Sequence, residues 1–257
     1  MNDKTDQQAN ALVVDLDDWR EYCRGFELDL QFVTVSGAHI YGFPSRDSDV
    51  DLRGAHRLPL PDVVGLTTPN QTFQREEIRN GIEVDLVTHD IGKYLGLLVK
   101  NNGYILEQVF SPIVVLGQGF LDQLRPLAQN CITRNHYFHY RGFFQNQKKL
   151  MDKQDPITAK AVLYAYRVLA TGIYLMNAGE VVTDLNFLAE ELKIADIPSL
   201  INAKVAEKSA FEFDVDLHNS RLSELERRLA SAFENSKLPE VPARDAVNNF
   251  LVRLRLN

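Results

Sequence analysis

The chain has 257 residues, of which 45% are hydrophobic, 25% charged and 9% aromatic. This composition is typical of a globular protein and excludes the disordered, collagen-like and fibrous classes. The formal net charge of -7 argues against a protein that coats nucleic acid nonspecifically, because such binding requires many Lys and Arg side chains to displace phosphate counterions.

The sequence shows no targeting or membrane signal. The first ten residues, MNDKTDQQAN, are polar, and no stretch approaches the roughly 20 apolar residues that a membrane span needs. The two cysteines, Cys23 and Cys131, have neither the spacing of a zinc site nor the number that a disulfide framework requires. We therefore expect a soluble cytoplasmic protein without a membrane partner.

The N-terminal part of the chain mixes helix and strand patterns. Apolar residues recur at helical spacing over residues 15–25, and residues 31–35 have the pattern of a strand. The segment SGAHIYG, residues 36–42, then interrupts any regular pattern with glycines and small side chains. The sequence predicts a helix, a strand and an irregular loop in that order.

The strand predicted next, residues 48–53, alternates charged and apolar side chains. An extended backbone sends Asp49, Asp51 and Arg53 to one face and the apolar residues between them to the core. A second acidic strand follows in a predicted hairpin over residues 71–88. Its Asn-Gly turn supplies the positive φ angles of a tight connection, and Asp85 again lies opposite a buried row.

Helical periodicity dominates the rest of the chain. Asp90 is a predicted N-cap, and from about residue 121 strand signals nearly vanish. Asp155 is expected to cap one long helix, with Pro156 as its first residue. The helices are predicted over residues 91–100, 104–110, 134–151, 156–178 and 184–192 and in the C-terminal third. The chain therefore divides into a mixed unit over residues 1–120 and an all-α unit over residues 121–257.

Three aspartates can converge on one point in this arrangement. Asp49 and Asp51 share a strand face, and Asp85 follows 34 residues after Asp51 on a neighbouring strand. Magnesium prefers hard oxygen ligands and keeps positions open for water and substrate phosphates. The pattern predicts a site in which Asp49 and Asp51 bridge two ions and Asp85 holds the catalytic one. Such ions assist an attacking hydroxyl and a leaving pyrophosphate.

A small-residue loop precedes the carboxylates. Ser36, Gly37 and Ala38 follow a predicted strand, and Gly37 lies 12 residues before Asp49. Backbone N–H groups and a hydroxyl in such a loop can donate hydrogen bonds to phosphate oxygens. The order of strand, loop and D-x-D strand predicts a binding site for a nucleoside triphosphate.

One basic segment interrupts the acidic chain. Residues 133–167 contain seven Lys and Arg against two Asp, a formal charge of +5, and are rich in Tyr and Phe. This pattern suits phosphates and stacked bases, but helices that bury rings and expose charges have it too. In the helix predicted there, Lys160, Tyr164 and Arg167 share one face. They contact the nucleotide if this face closes over the site, and have no catalytic role if it faces solvent.

Together these motifs resemble the nucleotidyltransferases of the DNA polymerase beta superfamily, whose signature is a Gly-Ser loop, a D-x-D strand and a later carboxylate. A longer string, Y-G-F-x-S-x-D-S-D-x-D-x-R-G, covers residues 41–54. With K-x-x-x-L-L at residues 93–98 and N-x-x-x-x-E at residues 102–107, it is most similar to predicted nucleotidyltransferases associated with RNA repair operons. The similarity covers roughly residues 33–112 with specific motifs and the helical remainder more loosely, through residues 137–140 and 160–167.

The resemblance implies an α+β fold in which a polymerase-beta-like mixed sheet with flanking helices is followed by an all-α domain that binds substrate and nucleotide. It also implies transfer of NMP from an NTP such as ATP to a hydroxyl, expected at an RNA 3′ end, with two Mg²⁺ or Mn²⁺ ions. The implied catalytic and metal-binding residues are Asp49, Asp51 and Asp85. The expected nucleotide-binding residues are Ser36, Gly37, Ala38, Ser48, Arg53, Lys160, Tyr164 and Arg167.

The sequence departs from the family pattern at one position. The family usually has Ser directly after the loop glycine, and this chain has Ala38 there, so one hydroxyl contact to the triphosphate is missing. Two alternatives to transfer onto RNA stay open. In the first, the protein transfers NMP to a hydroxyl of a protein or a small molecule. In the second, it binds NTP or RNA without catalysis.

Overall fold

The computed structural model describes residues 16–45, 48–67, 69–205 and 214–256. Within these ranges the chain forms one mixed sheet with helices on both of its faces, followed by a helical region. This arrangement confirms the predicted α+β class. The division of the chain near residue 120 stays a prediction.

The sheet has five strands in the order β3-β4-β2-β1-β5. Neighbouring strands β2 and β4 are parallel, and the other neighbouring pairs are antiparallel. Strand β5 was not predicted, because it has only three residues and therefore no measurable alternation. The strands are β1 (Leu30–Ser36), β2 (Val50–His56), β3 (Thr72–Arg79), β4 (Ile82–Asp90) and β5 (Val114–Leu116).

The helices of the described ranges fall into two groups along the chain. The first group is α1 (Leu16–Arg24), α2 (Ala38–Tyr41), α3 (Leu60–Val64), α4 (Ile91–Leu98), α5 (Gly103–Val109) and α6 (Gln118–Gln129). The second group is α7 (His136–Met151), α8 (Ala159–Ala178), α9 (Leu185–Leu192), α10 (Ile197–Val205), α11 (Val215–Asn235) and α12 (Arg244–Leu256). Among the described residues, no helix combines the length and apolar character needed to cross a membrane.

Side chains along each strand alternate between the two faces of the sheet, and each face has its own core. On one face, apolar side chains of the central strands pack against α1. On the other face, Phe32 of β1 and Ala55 of β2 join a larger core that extends through the helical region. The residues of the smaller core are Trp19, Tyr22, Cys23, Val33, Val35, Val50, Leu52, Val84, Leu86 and Val115.

The start of α8 differs from the prediction. The helix begins at Ala159, and the hydroxyl of its N-cap Thr158 accepts a hydrogen bond from the Ala161 N–H. Asp155 and Pro156 are exposed and lie before the helix. A Thr hydroxyl at the N-cap satisfies a backbone donor of the first turn, and this capping moves the start three residues beyond the expected one.

Candidate active site

Asp51 and Asp85 are neighbours across the parallel pair of β2 and β4. Each follows a buried valine, Val50 and Val84, so the strand alternation directs both carboxylates to the opposite face from the α1 core. The predicted facing of these two aspartates is therefore confirmed. Asp49 is exposed and lies just before β2, and its neighbours Arg46 and Asp47 lie outside the described residues.

Arg53 joins the two strand carboxylates. Its Nη2 donates hydrogen bonds to Asp51 Oδ1 and Asp85 Oδ2, both at 2.7 Å. Its Nη1 donates to the backbone carbonyl oxygens of Asp85 at 2.5 Å and Leu52 at 3.0 Å. The guanidinium is thus held by four oxygens and fixes one oxygen of each carboxylate. A contact of Arg53 with nucleotide stays a prediction.

The pair of carboxylates is crowded with negative charge. Burial raises the pKa of Asp51 above its ordinary value, Arg53 opposes this effect, and the charges of Asp85 and Asp49 add to it. Asp85 Oδ1 is buried and has no hydrogen-bond partner within the described part of the chain. The two carboxylates therefore share one guanidinium, and their remaining negative charge suits a further cation.

The loop after β1 packs directly against these carboxylates. Gly37 has φ +68, and a Cβ atom at this position would lie 2.0 Å from Asp51 Oδ2. Only glycine fits such a position without displacing the carboxylate. Ser36, 8% exposed, is the register partner of Asp51 on β1. Ala38 is also 8% exposed and packs into the larger core.

The segment before β2 is held by a residue that sequence analysis missed. Lys204 of α10 donates hydrogen bonds to the Phe43 carbonyl oxygen at 2.9 Å, Ser45 Oγ at 2.7 Å and Ser48 Oγ at 3.2 Å. Ser48 Oγ also accepts from the Ser45 N–H at 2.8 Å. Ser48, a predicted nucleotide ligand, thus takes part in the turn that leads into the D-x-D strand. No local pattern around Lys204 indicates this contact.

The predicted basic face of α8 passes from solvent into the core. Lys160 is exposed, and Tyr164 is half-buried with its ring against Tyr41 at 5.9 Å and Phe43 at 5.5 Å. Burial raises the pKa of the Tyr164 phenol, and the charges of Asp51 and then Asp49 contribute. The structure therefore brings Tyr164 into the electrostatic range of the carboxylates.

Arg167 is fully buried, which corrects its predicted role as a nucleotide ligand. Its Nη1 donates to Glu107 Oε1 at 2.7 Å, and both side chains are at most 1% exposed. The guanidinium lies 4.0 Å from the centroid of the Tyr41 ring. Helical periodicity places Arg167 on the face of Tyr164, but this part of the face packs against α5 and α2 inside the protein.

A cleft of about 470 Å³ opens beside the paired aspartates. Two acidic residues of β3, Glu76 and Glu77, line it together with Glu83 of β4. Glu76 is the register partner of Asp85 and therefore shares its face of the sheet. This position is predictable from the sequence, because the two-residue Asn-Gly turn sets which residues of the hairpin pair. Glu76 was not among the residues predicted for the site. The cleft is strongly acidic and therefore suits a cation or a cation-bound ligand.

The residues present fit a magnesium or manganese ion by their chemistry. Asp51 and Asp85 offer hard oxygens, and Asp85 Oδ1 is buried and unpaired in the described chain. In the described ranges, however, no group of three or more His, Cys, Asp or Glu side chains already surrounds one point. Arg53 lies between the two strand carboxylates. Asp49 lines the same cleft as the two strand aspartates.

Comparison with known proteins decides the family. A match to the RNA repair pathway DNA polymerase beta family (RlaP) covers residues 15–253. The chain belongs to this family. Over 221 residues it is also 32% identical to the uncharacterized protein MJ0002 of Methanocaldococcus jannaschii. This alignment covers 84% of this chain and 89% of that relative.

Membership in the RlaP family confirms the resemblance inferred from the motifs and indicates a general role in nucleotidyl transfer. Among solved structures, this RlaP-family chain is similar to a nucleotidyltransferase-like protein from Exiguobacterium sibiricum. That comparison has a TM-score of 0.30 and 15% identity, and it covers 86% of this chain and 72% of the other.

Proposed function

We propose that this protein is a magnesium-dependent nucleotidyltransferase that transfers NMP from an NTP to the 3′ hydroxyl of an RNA and releases pyrophosphate. The observation that carries the proposal is the pairing of Asp51 with Asp85 directly beside the Gly37 loop. The family description names an RNA repair pathway, and this name supports RNA as the acceptor.

Asp49, Asp51 and Asp85 would hold two Mg²⁺ or Mn²⁺ ions. The unpaired Asp85 Oδ1 and the raised pKa of Asp51, caused mainly by burial, support this assignment, because a bound cation would relieve both. When bound, the ions lower the pKa of the attacking hydroxyl and neutralise charge on the α-phosphate.

The residues of the chain contribute position and charge to the transfer. The acceptor hydroxyl loses its proton to water, its oxygen forms a bond to the α-phosphorus, and the bond from that phosphorus to the pyrophosphate oxygen breaks. Arg53 orients both strand carboxylates by holding one oxygen of each. Ser36 and the backbone at Gly37, beside Asp51, would bind the phosphates. Lys160 and Tyr164 would contact the nucleotide from α8.

The test is pyrophosphate release with Mg²⁺, each of the four NTPs and a pool of small RNAs. We expect Asp51→Asn to reduce release by about 100-fold or more while circular dichroism shows a folded protein. The matched control is Glu83→Gln, which removes a carboxylate from the same cleft and should retain release.

Each other outcome changes the proposal in a defined way. Release by Asp51→Asn at the wild-type rate would remove the metal assignment. Transfer of labelled NMP to a protein or an aminoglycoside, with no label on RNA, would replace the acceptor. Binding of NTP without release for any acceptor would identify an inactive binding module.

A further inference from the structure

A second cavity, of about 580 Å³, lies where α4 ends, α5 begins and α7 starts. We call it the amide cavity, because Asn101 and Asn102 line it together with Lys100, Phe138 and His139. None of the described residues that line it carries a carboxylate. It therefore contrasts with the acidic cleft beside Asp51 and suits a ligand of the opposite charge.

The amide cavity presents hydrogen-bond donors. Asn101 Oδ1 accepts from Thr133 Oγ1 at 2.7 Å, and Asn102 Oδ1 accepts from the Tyr104 N–H at 3.0 Å. Both carboxamide oxygens are thus used within the protein, and both Nδ2 groups have no acceptor among the described residues. Lys100 is exposed and forms no ion pair within the described chain. Two amide donors and an ammonium group can bind a phosphate.

The same cavity contains an exposed aromatic ring. Phe138 is 59% exposed, although Tyr137 and Phe233 contact it edge-on at 5.2 Å and 5.5 Å between ring centroids. These contacts hold the ring and leave more than half of it open to solvent. A fixed, open ring beside phosphate-binding donors is the arrangement on which proteins stack an unpaired base.

Aromatic side chains connect the amide cavity with the carboxylates. His139, in the cavity wall, contacts the ring of Tyr104 at 5.3 Å between centroids. Burial raises the pKa of the Tyr104 phenol, and Tyr164 is among the smaller causes. Tyr164 in turn senses the charge of Asp51. Tyr104 also contacts the ring of Phe143 at 4.8 Å between centroids, and it is 39% exposed. Tyr164 is half-buried.

We propose that the amide cavity binds one nucleotide of a single-stranded RNA acceptor whose 3′ end reaches Asp51 and Asp85. Phe138 stacks on the base, and Lys100 with the Asn101 and Asn102 amides binds the adjoining phosphate. This inference rests on the proposed function, because it specifies how the acceptor of that reaction is held. It assigns the base and the phosphate to a site outside the acidic cleft.

The test measures binding and transfer separately. A short single-stranded oligoribonucleotide with a 5′ fluorescein is titrated with the full chain in EDTA, and fluorescence anisotropy gives Kd. We expect Phe138→Ala to raise Kd by about tenfold and Lys100→Ala/Phe138→Ala to raise it further. The control Lys153→Ala/Phe187→Ala removes an exposed lysine and an exposed ring elsewhere and should leave Kd unchanged.

A second measurement does not depend on how the variants fold. The wild-type chain is crosslinked by ultraviolet light to the same oligoribonucleotide containing 4-thiouridine, and the crosslinked peptide is sequenced. We expect crosslinks to residues 134–141, which contain Phe138. Crosslinks confined to other segments, or an unchanged Kd in the Lys100→Ala/Phe138→Ala variant, would overturn the inference.

The two proposals can fail independently. Pyrophosphate release in the presence of the oligoribonucleotide, with an unchanged Kd for the cavity variant, would retain the transferase and reject the cavity. Loss of binding in that variant, with no release by the wild type, would retain the cavity and reject the transferase. Displacement of the oligoribonucleotide by a phosphopeptide at far lower concentration than by unlabelled RNA would replace the RNA with a protein partner.

Discussion

Asp51 carries its charge in surroundings that disfavour it. The carboxylate is 30% exposed, and burial raises its pKa despite the hydrogen bond from Arg53. The folded protein therefore binds a proton at Asp51 over a pH range in which the unfolded chain has already released it. Stability contributed by this group is present at low pH and is lost as the pH rises through the folded pKa.

The thermal stability of Asp51→Asn tests whether the folded protein disfavours the negative charge of Asp51. Without divalent ions at pH 7, we expect the variant to have a higher Tm than the wild type, because it lacks the disfavoured charge. The difference should shrink as the pH falls towards about 4, the ordinary pKa of Asp. It should also shrink when Mg²⁺ is added at pH 7. Differential scanning calorimetry measures both effects, and Asp62→Asn on the exposed α3 is the control.

Gly37 combines a positive φ angle with a position directly beside the Asp51 carboxylate. We expect Gly37→Ala to reduce pyrophosphate release by about 100-fold, because its Cβ would lie 2.0 Å from Asp51 Oδ2 and displace the carboxylate. In the control Gly96→Ala the new Cβ meets no atom within 4 Å, and α4 gains a better helix former. Equal activity of the two variants would contradict the proposed position of Asp51 in catalysis.

Among the elements, α10 has an unexpected link to the carboxylate strand. Lys204 crosses from this helix to Phe43, Ser45 and Ser48, which precede β2. The same turn lies beside the half-buried ring of His39. Burial lowers the pKa of this imidazole, and hydrogen bonds with the backbone of Ser48 and Asp49 act in the opposite direction. The segment that leads into the D-x-D strand is therefore positioned by a helix that is distant in the chain. Lys204 and Ser48, which form one of these hydrogen bonds, are 156 residues apart.

We expect Lys204→Met to lower pyrophosphate release by about tenfold, because the turn before β2 loses three hydrogen bonds. Lys204→Arg should restore part of the activity, since its guanidinium can still donate to the same oxygens. Lys149→Met, which removes an exposed lysine of α7, serves as the control. The positioning role is wrong if steady-state kinetics of Lys204→Met match those of the wild type.

At the scale of the whole molecule, a buried ion pair connects the sheet-side helices with the helical region. Glu107 on α5 and Arg167 on α8 lie inside the larger core, and the hydroxyls of Tyr41 and Tyr140 donate to the same carboxylate at 3.3 Å. That core contains side chains from both sides of residue 120. We therefore expect the two regions to unfold together.

We expect Arg167→Met to reduce the free energy of unfolding by about 3–5 kcal/mol, because it leaves Glu107 buried without its cation. The control is Arg141→Met, whose ion pair with Glu226 at 3.7 Å is half-exposed and contributes at most about 1 kcal/mol. Urea denaturation measures both. If Arg167→Met instead keeps wild-type stability and loses NTP binding, Arg167 is a nucleotide ligand after all.

Features that depend on neighbouring residues could be predicted without the fold. The alternation of the strands predicted that Asp51 and Asp85 share a face, because side chains of an extended backbone alternate regardless of what covers them. The Asn-Gly turn predicted the hairpin, and the order of loop, D-x-D and third acid predicted the family. Local capping was less certain, since Asp155 and Thr158 are both good N-caps and only Thr158 is used.

Contacts between residues that are distant in the chain are visible only in the folded protein. Helical periodicity assigns Arg167 to a face but does not say what covers that face, and α5 with Glu107 covers it. In the same way, nothing near Lys204 in sequence indicates that it binds the turn at Ser48. These contacts depend on how whole helices pack, because packing joins residues that no local period relates.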